Sequence, residues 1–196
     1  MKYKILTIIA TLSFFISFSQ ENEPQELLLS DDSWGKEIIK MPIHFAPKIP
    51  YKGVEEIRFA PNWSKQDSEE YWSYVFVWDI NLNKVLTTKQ LEVYLQYYFD
   101  GLMEVVNKKK DTVLPKTIAL FIKKEHVKNT HEFVGKLQIY NAFHTHAVMQ
   151  LNCTVQQYFC EERQKSLVLF RFSPQSLDHS IWNKLNEIRL IESKCN

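Results

Sequence analysis

His144 and His146 lie two positions apart in Asn141–Cys153, NAFHTHAVMQLNC, and Cys153 follows seven positions after the second histidine. Imidazole and thiolate both bind first-row metals, so the spacing raises the question of a metal centre. Alternation answers against it. From His146 to Tyr158 the odd positions Ala147, Met149, Leu151, Cys153 and Val155 are apolar, whereas Gln150, Asn152 and Gln156 occupy even ones. Successive side chains of a strand take opposite faces. Cys153 therefore points into the core, and His144 and His146 fall on the polar side or in a turn begun at Asn141. The nearest metal pattern, H-x-H-xxx-E, has Gln150 where its carboxylate belongs. Two imidazoles fall short of the three protein ligands of a catalytic zinc, and a third from His126 or His131 would have to fold back across a strand. His144 and His146 are the metal candidates the sequence offers, and the expectation is no metal and no cofactor.

Carboxylates are the next chemical resource. Glu55, Glu56, Asp67, Glu69 and Glu70 could supply an acid and base pair for hydrolysis, but the adjacent Glu55 and Glu56 face opposite sides of a strand. Nucleophile motifs of the G-x-S-x-G kind are absent. Gly35, Gly53, Gly101 and Gly135 are the only glycines and stand far apart, which argues against phosphate-cradling loops. With 24 basic and 23 acidic residues, the chain has no electrostatic case for nucleic acid. No catalytic residue can be named.

The elements that must position these side chains read as follows. Val54–Ala60 is a strand stopped by Pro61, and Tyr71–Ile80 is a strand apolar on both faces, hence central. Met41–Pro50, with three prolines, should run extended and unpaired. Leu91, Leu95, Tyr98, Leu102 and Val106 recur at helical spacing. They predict a helix of about 20 residues from Thr88, capped by Thr87 or Thr88. Strands follow at Thr117–Lys124, Glu132–Tyr140, His146–Tyr158 and Ser166–Phe172, and Leu177, Ile181, Leu185 and Ile188 mark a closing helix. The order ββαββββα predicts an α+β fold, an antiparallel sheet curled on a long helix.

Trp72, Tyr74, Phe76 and Trp78 share one face of their strand, as core beneath the helix or as the wall of a pocket. Trp34 and Trp63 lie in loops among polar residues and are candidate contact residues. Lys136, Gln138, Tyr140, Gln150, Asn152 and Gln156 share even parity on two strands joined near Asn141–Thr145, and predict an exposed face or wet groove. Tyr140 and Gln150 are its binding candidates.

Met1–Ser19, MKYKILTIIATLSFFISFS, has a basic start and an apolar run of about 14 residues, shorter than the ~20 needed to span a bilayer. It reads as a signal peptide cleaved after Ser19 or Gln20, leaving no integral membrane segment. Residues 20–32 read as a disordered linker, and 33–196 as a single domain. In an oxidising compartment Cys153, Cys160 and Cys195 permit one bridge. Cys153 and Cys160 on one strand would lie roughly 23 Å apart at ~3.3 Å per residue, so Cys195 must take part if a bridge forms. Cys160–Cys195 is the expected pair, because Cys160 lies near an accessible strand end.

The strings RFAPNW, EEYWSYVFVW, YFDGL, MQLNC and LFRFSPQSLDHSIW resemble an uncharacterised family of secreted bacterial proteins over most of the mature chain. The resemblance implies a secreted or periplasmic address and carries over no catalytic residue. The functional expectation is a secreted or periplasmic non-catalytic domain that binds a protein partner or small ligand. The alternative is a small extracytoplasmic hydrolase, with or without a metal.

Overall fold

The computed structural model describes residues 26–108, 111–124 and 130–191. The proposed signal peptide, His126 and Cys195 lie outside the described residues. The chain runs β1 (Leu28–Leu29), β2 (Gly35–Met41), β3 (Gly53–Phe59), β4 (Tyr74–Ile80), α1 (Thr88–Val106), β5 (Ile118–Lys123), β6 (Thr130–Asn141), β7 (Ala147–Cys160), β8 (Lys165–Ser173), α2 (Ile181–Glu187) and β9 (Arg189–Leu190). Seven strands form one antiparallel sheet in the order β2-β3-β4-β8-β7-β6-β5, and β1 pairs with β9 apart from it. The fold is α+β. The order ββαββββα is corrected by three added strands, β1, β2 and β9.

Alternation builds two cores. On one sheet face Ile57, Phe76, Trp78, Leu151, Val155, Phe170 and Phe172 pack with Leu91, Leu95, Phe99 and Met103 of α1. On the other, Val75, Val77, Leu167 and Leu169 pack with Ile181, Trp182 and Leu185 of α2 and with Leu27 and Leu28. Strand β4 is buried along its whole length because it sits inside the sheet with both faces covered. α1 starts at a capping box in which Thr87 Oγ1 accepts the Gln90 amide while the Gln90 side chain accepts the Thr87 amide.

Several expectations need correction. Gly35–Met41 is an edge strand that the sequence hid, because Lys36, Glu37 and Lys40 interrupt its apolar pattern. Pro42–Pro50 is not extended: Ala46 N–H donates to Ile43 O and Ile49 N–H to Ala46 O, forming tight turns that bury Ile43, Ala46 and Ile49. The strand expected from Tyr71 begins at Tyr74 because Trp72 takes a left-handed backbone, φ 52°. The closing helix begins only at Ile181, and Leu177 is exposed.

Of the stretch 20–32 read as linker, residues 26–32 are described, and they dock on β3. Glu56 accepts the Leu27 amide at 2.7 Å, Arg58 donates to Leu28 O at 3.2 Å, and the two side chains form a buried ion pair at 2.5 Å. The pair satisfies backbone groups that burial would otherwise leave without partners.

Candidate functional site

An aromatic cavity of about 230 Å³ opens between the β2–β4 end of the sheet and α1. β2 contributes Glu37 and Ile39, and β3 contributes Ile57 and Phe59; their odd parity puts all four on the α1 side. Trp72 and Tyr74 come from the entry to β4, and Tyr98 and Leu102 from α1. Three loops add Phe45, Trp63 and Phe143.

Each loop is held in place by identifiable contacts. Gly101 lets the Phe45 loop lie directly on α1, since a Cβ there would stand 1.7 Å from Phe45 O. Trp63 is seated by the Trp72 amide donating to Trp63 O at 2.8 Å, and by Glu70, whose carboxylate accepts the Asn62 amide at 3.0 Å. Asn141 sets the last loop: its Oδ1 accepts the Phe143 and His144 amides, and its carbonyl accepts the His146 amide. Trp72 and His146 are bulky residues at φ 52° and φ 50°. Each costs of order 1–2 kcal/mol, and Trp72 lines the cavity while His146 closes the turn that carries Phe143.

The rings meet at varied angles. Trp63 lies 4.9 Å from Phe59 at 33° and 6.2 Å from Phe143 at 83°, and Trp72 stands 6.5 Å from Trp63 at 73°. The walls therefore offer ring faces in more than one direction. Glu37 is the lone carboxylate of the lining, which holds no lysine, arginine or histidine, and its side chain has no ion-pair partner among the described residues.

A second carboxyl stands behind the wall. Glu55 is fully buried, and its oxygens accept the indole N–H of Trp78 at 2.5 Å and the hydroxyl of Tyr98 at 2.7 Å. Burial raises its pKa from 4.5 to about 7 against the lowering effect of those two donors, and Glu37 nearby adds to the rise. Burial likewise holds the Tyr98 hydroxyl well above its usual range.

The sequence candidates separate in space. Trp63 lines the cavity, whereas Trp34 packs on the α2-side core. Tyr140, half-buried opposite Val148, packs on the α1-side core, and Gln150 is exposed opposite Gln138; neither lines the cavity that Trp63 lines. Lys136 and Gln138 are exposed too, and Asn152 and Gln156 are half-buried on the same pair of strands. The row Trp72, Tyr74, Phe76 and Trp78 is buried core at its inner end and cavity wall at its outer end.

His144 stacks at a tilt 5.8 Å from Trp63 and 5.7 Å from Tyr71, with its pKa lowered by burial, and His146 is exposed. Cys153 is a buried free thiol whose pKa burial pushes up. Cys160 is buried where β7 ends. Among the described residues no group of three or more His, Cys, Asp or Glu could hold a metal. Glu70 is structural, joining Asn62 to Lys184 of α2 at 2.9 Å, and Glu55 and Glu56 do take opposite faces.

Glu37, Phe45, Tyr98, Leu102 and Phe143 escaped the sequence reading as site residues. They are scattered over a hundred positions, and only Tyr98 and Leu102 carried a signal, as part of the apolar helix stripe. A wider groove of about 440 Å³ lies across the Phe45 loop, but Lys116 there already reaches Glu104 at 3.1 Å and Asp100 at 3.6 Å, and Lys48 stands 5.2 Å over the Tyr97 ring. No helix of the described residues is long and apolar enough to cross a membrane. Comparison with protein-family models, curated proteins and solved structures finds no match.

Proposed function

We propose that the chain is a non-catalytic binding domain of the secreted or periplasmic space, and that it takes a small apolar ligand bearing a ring into the aromatic cavity. The observation that carries this reading is the lining itself. Seven aromatic side chains, drawn from α1, two strands and three loops, surround about 230 Å³ that no side chain of the protein fills. Burying a flat apolar ring there releases its hydration, at about 25 cal/mol per Å² of apolar surface, and adds contacts to the ring faces.

Titration calorimetry with 2-naphthylmethanol, a neutral two-ring probe, tests it. The expected result is saturable binding of one equivalent that is lost in Leu102→Trp, which fills the cavity from α1. No saturation by the wild type at millimolar probe, or binding unchanged in a folded Leu102→Trp variant, would remove the proposal.

The address rests on Met1–Ser19 and is tested separately. Intact mass of the protein recovered outside the cytoplasm should correspond to a chain beginning at Gln20 or Glu21, and a retained Met1 would contradict it.

The hydrolase reading has one supporting observation, a carboxyl at about 7 one side chain behind the cavity wall. Against it, both Glu55 oxygens are already engaged by Trp78 and Tyr98.

A further inference from the structure

We infer that the ligand of the aromatic cavity is a cation: an apolar ring carrying a protonated amine or quaternary ammonium group that reaches Glu37. This rests on the binding role proposed above and specifies its chemistry. The lining contains one carboxylate and no lysine, arginine or histidine. An anion entering would meet Glu37 with no base to receive it, whereas a cation would meet both the carboxylate and the negative faces of Phe59, Trp63 and Phe143.

Glu37 is available for such a role. Its chain neighbour Lys36 points the other way along the alternating strand and is bound to Glu26 at 2.5 Å. Glu37 itself is exposed, its backbone pairs across the sheet with Ile57, and its side chain forms no hydrogen bond or ion pair among the described residues. Behind the wall the buried Glu55 shares the same sheet face and brings no positive charge. His144, beside Trp63, has its charged form disfavoured by burial and does not offset the two carboxyls. The single carboxylate of the lining thus meets no cationic side chain there, and the aromatic walls favour the same sign of ligand.

Three probes of one shape separate the possibilities: 2-naphthylmethylammonium, 2-naphthylmethanol and 2-naphthoate, titrated calorimetrically into the full mature chain at low salt. The ammonium should bind at least tenfold more tightly than the alcohol, and the naphthoate most weakly. Glu37→Gln should bring the ammonium to within about twofold of the alcohol, both titrated into that same variant. Because Glu37 is exposed on an edge strand, this variant keeps the fold. Naphthoate binding as tightly as the ammonium, an alcohol equal to the ammonium, or an ammonium preference that survives Glu37→Gln would overturn the inference. In those cases the cavity still binds a ring and the proposed function stands; if none of the three probes binds, the proposed function fails as well.

Discussion

Glu55 shows how much of a site can be visible in a sequence yet unreadable. Alternation separates it from Glu56, and it does point toward α1, but the sequence gives no hint that Trp78 and Tyr98, 23 and 43 positions away, close over its oxygens. Its protonation carries a consequence for stability. With the folded-state pKa raised from 4.5 to about 7, the folded chain holds a proton that the unfolded chain releases, so stability falls as pH climbs through that window. The loss amounts to up to about 3 kcal/mol, since the group is fully buried and unscreened. Tyr98, Trp78, Tyr74 and Glu37 are the polar or charged groups that bear on it. Glu55→Gln should abolish this component: urea midpoints measured from pH 4 to pH 8 should decline less than in the wild type, with the variant the more stable at pH 8. Parallel declines in the two proteins would show that Glu55 does not titrate in that range.

Elements with strong periodicity were legible in the sequence. The α1 stripe, the even and odd faces of β7 and the doubly apolar β4 all follow from side-chain spacing, and their limits lie within a few residues of the observed ones. The irregular elements were not, for reasons that differ case by case. β2 is half-exposed, so its charges mask the alternation, and Pro42–Pro50 turns compactly because Ile43 and Ile49 find burial that proline content alone does not announce. Gly101 links the two kinds of element. Helix propensity says that alanine should stabilise α1 there by roughly 1 kcal/mol. The backbone of Phe45 says the opposite, because its carbonyl oxygen and carbon would lie 1.7 and 2.8 Å from the new Cβ. Gly101→Ala should therefore destabilise by about 1–3 kcal/mol, the usual range for overpacking, and weaken probe binding as Phe45 is pushed from the cavity. Thermal melting together with the 2-naphthylmethanol titration checks both effects; a stabilised variant with intact binding would mean that the loop yields freely.

At the scale of the whole molecule, the sheet works as a partition between two cores, one beneath α1 and one beneath α2. The α+β class could be read from the sequence because it depends on counting strands and helices. The cavity could not, because it arises where β2, β3, α1 and three loops converge, a fact of topology that no local pattern carries. Cys160 lies at the α2-side core and the chain continues past β9 toward Cys195. We propose that the two form a bridge, closing a loop of about 35 residues worth roughly 3–4 kcal/mol in the chain-entropy account. Non-reducing peptide mapping should recover Cys160 and Cys195 in one linked fragment, with Cys153 alkylated only after unfolding. A Cys153–Cys195 link, or all three thiols open to alkylation without reductant, would refute it.

The pairing of β1 with β9 has a practical corollary. Leu28 stands opposite Leu190, and the Ile191 amide donates to Leu27 O at 2.9 Å, so the first and last described segments run side by side beneath the α2 face. Ring-bearing ligands, in contrast, would enter from the α1 face. A fluorophore, a bead or a sensor surface coupled through Glu26 or Ile191 therefore approaches the protein from behind, and immobilisation by either handle leaves the aromatic mouth turned toward the sample.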